Sequence, residues 1–265
     1  MAKSNATFQR GFTLIEMSIV LVIIGLIVGG ILKGQELIES SRQKNLISQI
    51  DRIRSGTTAF VDRFRSLPGD LGRISILPNA SLIGATSGGN DNGVVGAVAA
   101  NVNTALISTI NDTENVQFFN HMVVANLASA GAATPRAVTL GCFAGYCATP
   151  SPLPAAAFPQ SGVTITYGTH PGGTNGAASG QEDEREAHWL LVSRWSGAAP
   201  AAADAVIPAA RAYQLDSKYD DGGAGSGNMR TAFTGSGTAA SCGTATTDYA
   251  ATDTASLCHL WFTLQ

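Results

Sequence analysis

The chain has 265 residues, 13% of them charged, and a formal net charge of −3 at pH 7. So even a balance supplies neither the basic patch of a nucleic-acid binder nor an acidic tail. The wealth of Gly, Ala, Ser and Thr suits a secreted or surface domain with long loops, and the length leaves room for one sizeable soluble domain.

Met1 to Arg10 is polar apart from Phe8 and carries Lys3 and Arg10, the basic flank expected on the cytoplasmic side of a membrane span. From Phe12 to Leu32 the only charge is Glu16. About 20 apolar residues at 1.5 Å each suffice to cross a bilayer, so this segment is predicted to span one. A secretory signal peptide would place small residues of the A-x-A kind after its apolar core. Here Ile31-Leu32-Lys33-Gly34-Gln35-Glu36 follows, and cleavage after the span is not expected. An ionisable group in such a helix costs roughly 2.5–3.5 kcal/mol at its centre, less near an end, and marks a functional partner.

The run Gly11-Phe12-Thr13-Leu14-Ile15-Glu16 resembles the processing motif of type IV prepilins and of type II secretion pseudopilins. The resemblance implies that a membrane prepilin peptidase cuts after Gly11 on the cytoplasmic side and methylates the new amino terminus at Phe12. It also implies that Glu16 is the acid used in assembly. Other pilin or pseudopilin subunits and an inner-membrane assembly platform would then be the partners. The chain would be a single-pass prepilin of the bacterial inner membrane, later part of a periplasmic or cell-surface filament. The fold implied is α+β, a long N-terminal helix packed on an antiparallel β-sheet. Physics gives the acid a reason: a new α-amine at Phe12 and the Glu16 carboxylate attract far more strongly in a low dielectric than in water. Within one helix they lie about a turn apart; between subunits, one neutralises the other and sets the stagger.

From Lys33 to Leu67 there is no proline, and Leu37, Ile38, Leu46, Ile47, Ile50, Ile53, Phe60, Val61 and Phe64 recur mostly three and four residues apart. This predicts an amphipathic continuation of the helix, making one helix from about Phe12 to Ser66, on the order of 80 Å long. Gly25, Gly29, Gly30 and Gly34 either loosen the helix locally or permit close helix packing through two small-x-x-x-small pairs. Leu67-Pro68-Gly69-Asp70 ends the helix. The predicted organisation is a leader over 1–11, a membrane and filament-core helix over 12–32, an amphipathic half over 33–67 and a globular domain over 68–265.

Within the domain, Asn101 to Ile110 and Val116 to Ala130 read as helices, the second burying Phe118, Phe119, Met122, Val123 and Leu127. Val163 to Tyr167, His188 to Trp195 and Leu257 to Leu264 read as strands. Pro208 to Lys218 is ambiguous, although Pro208 fits the first turn of a short helix. Glycine-rich loops are expected at Ala85 to Gly96, Gly168 to Gly180 and Asp220 to Thr246. Short stretches within Ser66 to Leu71, Gly89 to Gly93, Phe118 to Met122 and Leu215 to Gly222 resemble segments of a subgroup of large prepilin-like proteins.

Cys142, Cys147, Cys242 and Cys258 fall outside the cytoplasm on this reading, where disulfides form. Of the three possible pairings the local one is favoured, Cys142 with Cys147 and Cys242 with Cys258, the latter closing a loop that resembles the disulfide-closed C-terminal region of pilins. A zinc site would lack a C-x-x-C core. No cofactor is expected; calcium at Asp216, Asp220 and Asp221, with Asn228, is the alternative to ordinary turn chemistry. Asn90-Asp91-Asn92-Gly93 reads as a hairpin turn, with calcium the alternative by the same logic. The dispersed His121, His170, His188 and His259 accompany no catalytic motif, and Trp189, Trp195, Trp261, Phe233 and Phe262 read as core aromatics. The expectation is a structural subunit of a type IV pilus-like filament rather than an enzyme. A type II secretion pseudopilin is the alternative, and a membrane-anchored binding protein that never polymerises is the rival from a different class.

Overall fold

A computed structural model of the chain describes residues 13–83, 88–96, 98–99, 113–127, 154, 156–159, 161–170, 185–194, 206–232, 242, 249 and 257–264. The predicted helix over Asn101 to Ile110, Trp195, Phe233, and the cysteines Cys142 and Cys147 lie outside these residues. Helix α1 spans Leu14–Phe64, 51 residues. The chain divides into two compact units, Met1–Lys44 and Asn45–Gln265.

In the first unit, α1 is apolar on every side from Met17 to Leu32, with Leu26 73% exposed, and turns polar from Lys33 onward. The helix runs without a break through Gly25, Gly29, Gly30 and Gly34, and the space around each of these glycines is open. Of the two readings left open for them, local loosening is therefore not what the backbone adopts.

In the second unit α1 turns amphipathic. Leu46, Ile50, Ile53 and Phe60 are buried, at spacings that keep one face toward the core. The helix stops at Phe64, two residues before the predicted end, because Arg65 takes the left-handed conformation (φ 59°), the usual way to terminate a helix. Two 3₁₀ turns, Ile74–Ile76 and Ala80–Leu82, follow. Strand β1 is Val98–Ala99 and helix α2 is Thr113–Val124. Strands β2 (Ser161–His170) and β3 (Arg185–Arg194) then lead to β4 (Ile207–Pro208), α3 (Ala209–Tyr219), β5 (Met229–Ala232) and β6 (Leu257–Thr263).

The fold is α+β. The sheet runs β1-β2-β3-β6-β4, with β5 also on β6. It is antiparallel, as expected, with the two-residue β1 added in parallel on β2 through Val98 and Ala99. The register Thr166↔Trp189 and Leu191↔Trp261 sets alternate side chains on opposite faces. Val163, Ile165, Leu190, Val192, Leu260 and Phe262 join one core with Leu46 and Ile50 of α1, Phe118 of α2 and Leu215 of α3. The other register carries buried Trp189, Trp261 and His170, with the His170 ring 4.9 Å from Trp189 and 5.8 Å from Trp261.

Differences from the sequence reading are local. α2 begins at Thr113 and ends at Val124, earlier than predicted at both ends. Pro208 precedes α3 in extended backbone (ψ 147°), which resolves the ambiguous segment as a short strand followed by a helix. β5 lies inside the stretch read as a loop; four residues among glycines and serines leave no alternation to detect.

Gly69 shows how tightly the connection after α1 seats on α2. Its φ is +89°, and a Cβ there would lie 2.5 Å from the carbonyl oxygen of Glu114. Replacing Gly69 with alanine is expected to lower stability by about 2–3 kcal/mol from backbone strain and overlap. Urea titration of the purified chain, followed by tryptophan fluorescence, measures this; an unchanged midpoint contradicts it.

Candidate functional site

The N-terminal end of α1 is built by local chemistry. Thr13 precedes the first helical residue, and its carbonyl accepts the first helical hydrogen bond, from Met17 N–H at 3.3 Å. Its hydroxyl oxygen accepts from Glu16 N–H at 3.3 Å. In return, one carboxylate oxygen of Glu16 accepts from Thr13 N–H at 2.9 Å and from the Thr13 hydroxyl at 2.7 Å. This is a reciprocal capping box, threonine at the N-cap and glutamate three residues later. It satisfies backbone donors that the helix start otherwise leaves open and holds a negative charge at the positive end of the helix dipole. Thr13 had no role in the sequence reading, although Thr13-Leu14-Ile15-Glu16 carries the T-x-x-E signature.

Past Glu16, the large apolar side chains of α1 from Met17 to Leu32 are exposed. By length and composition α1 is the one helix among the described residues able to cross a membrane. Gly11 and Phe12, where cleavage and methylation are expected, lie outside the described residues.

The acidic residues considered for calcium do come together: Asp216, Asp220 and Asp221 offer oxygens within 4.8 Å of one another. Each is committed to closing the loop after α3. Asp216 accepts from Gly222 N–H at 3.1 Å and from the Tyr249 hydroxyl at 2.6 Å. Asp220 accepts from the N–H groups of Asn228 and Met229. Asp221 accepts from Gly223 N–H at 2.9 Å and from the Ser226 hydroxyl at 2.7 Å. Asn228 contributes its backbone N–H here, while its side chain accepts from Arg185 at 3.0 Å. Burial lifts the Asp216 carboxyl to about 7, helped by Asp221 and Asp220 and opposed by its bonds to Tyr249 and Gly222. The three acids thus have the hydrogen bonds of ordinary turn chemistry and also the mutual approach that a cation site requires.

A second acid-centred closure joins three stretches that the sequence reading treated separately. Asp70 accepts from Asn92 N–H at 3.0 Å and Gly93 N–H at 2.8 Å. Asp91 accepts from Gly72 N–H at 3.0 Å. Glu114 accepts from Asn90 N–H at 3.1 Å and Gly96 N–H at 2.9 Å. Two histidines act as acceptors: His121 Nδ1 takes Gly69 N–H at 2.9 Å and His188 Nε2 takes Val95 N–H at 3.1 Å. Burial pushes His188 down to about 4, which keeps the ring neutral and able to accept. Asn90 to Gly93 is thus a receptor for Asp70 rather than the hairpin turn predicted.

Cys242 and Cys258 form a disulfide with Cα atoms 5.2 Å apart. It joins the segment before β6 to β6 itself. Trp189, Trp261 and Phe262 are buried, as core aromatics should be.

Comparison with known families matches residues 7–32 to the prokaryotic N-terminal methylation motif. The chain therefore carries the motif of the type IV pilin and pseudopilin class, the signature of a prepilin-type processed protein. That motif points to a structural protein handled by prepilin peptidase and assembled with pilin-like subunits. It is consistent with a membrane-anchored prepilin that later enters an extracellular or periplasmic filament. No curated protein and no solved structure matches the chain.

Two measurements test the site chemistry. Asp216 holds its proton from its unfolded value near 3.8 up to about 7, so its contribution to stability is complete below about 4 and is lost as pH rises to 7. His188 works oppositely: with 6.5 lowered to about 4, its contribution is complete above 6.5 and is lost as pH falls through 4. The Tm advantage of the wild type over Asp216→Asn is therefore expected to be greatest near pH 4 and to shrink towards pH 7; a constant difference contradicts it. Calcium at about 1 mM, enough for a typical extracellular module, is expected to leave Tm unshifted, and a rise of several degrees would restore the cation reading.

Proposed function

We propose that the chain is a structural subunit of a type IV pilus-like filament. On this reading prepilin peptidase cuts between Gly11 and Phe12 and methylates Phe12, and the apolar half of α1 then passes from the membrane into the filament. The observation that carries the proposal is Glu16 at the start of the apolar, exposed stretch of α1 that runs to Leu32, inside a matched methylation motif. Apolar helices gain little by exchanging lipid for one another, so a charge pair supplies direction that apolar contact does not.

The capping box refines the role of Glu16. Thr13 holds the carboxylate against the first peptide of the helix, one residue from where the new α-amine forms. Before assembly the acid has a partner in its own chain, which lowers the cost of keeping it in the bilayer. On docking, the amine of a neighbouring protomer adds a full positive charge. Leaving either charge buried alone typically costs 3–5 kcal/mol.

The second reading, a type II secretion pseudopilin that forms a periplasmic filament and drives export, shares all of this chemistry. The approach of three carboxylates within 4.8 Å favours it only if they bind a cation. Heterologous head-to-tail contacts that do not close make an open filament in either case.

Substitution separates capping from charge. Glu16→Gln keeps acceptors for Thr13 but loses the charge, and both it and Glu16→Ala are expected to abolish filaments while the subunit stays in the membrane. Thr13→Ala, which loses the cap and costs about 1 kcal/mol, is expected to reduce filaments without abolishing them. Immunoblots of sheared and membrane fractions read the outcome; normal filaments from Glu16→Ala would overturn the role given to Glu16, and a wild-type chain that stays in the membrane fraction without forming filaments would instead indicate an anchored binding protein. Mass spectrometry of the mature chain is expected to find methylated Phe12 as its first residue, and an intact leader in cells with active peptidase contradicts processing.

A further inference from the structure

We draw no further inference here: the strongest candidate, the face of the sheet turned away from the α1 core, where Thr164, Thr166 and Trp261 are buried with polar atoms that meet no partner among the described residues, carries none because nothing in the structure shows what covers it.

Discussion

An apolar helical surface open on all sides is the constraint on which the rest depends. Between Leu14 and Leu32 the side chains of α1 find no cover among the described residues, and water is not a tolerable neighbour for that much hydrocarbon. The surface must sit in lipid or among its own kind. A single molecule able to exchange one for the other needs a feature that lipid cannot imitate, and Glu16, held by Thr13, is the only charged group available in that stretch.

Beyond the membrane segment the problem reverses. The second unit is poor in charge, and its described turns carry backbone N–H groups that no strand or helix satisfies. Carboxylates take up these donors. Asp70, Asp91 and Glu114 gather the loop that follows α1, and Asp216, Asp220 and Asp221 close the turn after α3. A buried carboxylate accepting several N–H bonds can fix a loop that has no apolar anchor of its own. The acids that look like candidate metal ligands in the sequence accept hydrogen bonds in the turn after α3.

How much was legible follows from how local each signal is. The course of α1 shows in its proline-free apolar stripe, and β2, β3 and β6 show in their β-branched and aromatic runs. The motif around Gly11 is contiguous and so readable by itself. What escaped detection is mostly non-local or very short. Asp70 meets Gly93 across 23 positions, and Tyr249 meets Asp216 across 33; such contacts leave no period in the sequence. Strand β1 has two residues, too few to alternate. Thr13 is the exception, since its signature is local and is masked by the stronger signal of the processing motif in which it lies.

Strand β6 follows β3, β4 and β5 in the chain, yet all three pair with it, and it carries one half of the Cys242–Cys258 bridge. The sheet therefore stays incomplete during synthesis until this last-arriving strand is delivered. On the filament reading, a chain anchored through α1 and completed by a late strand is suited to crossing the membrane before its sheet closes, on the side where thiols oxidise. The Cys242–Cys258 bridge then ties the closing strand to the segment before it.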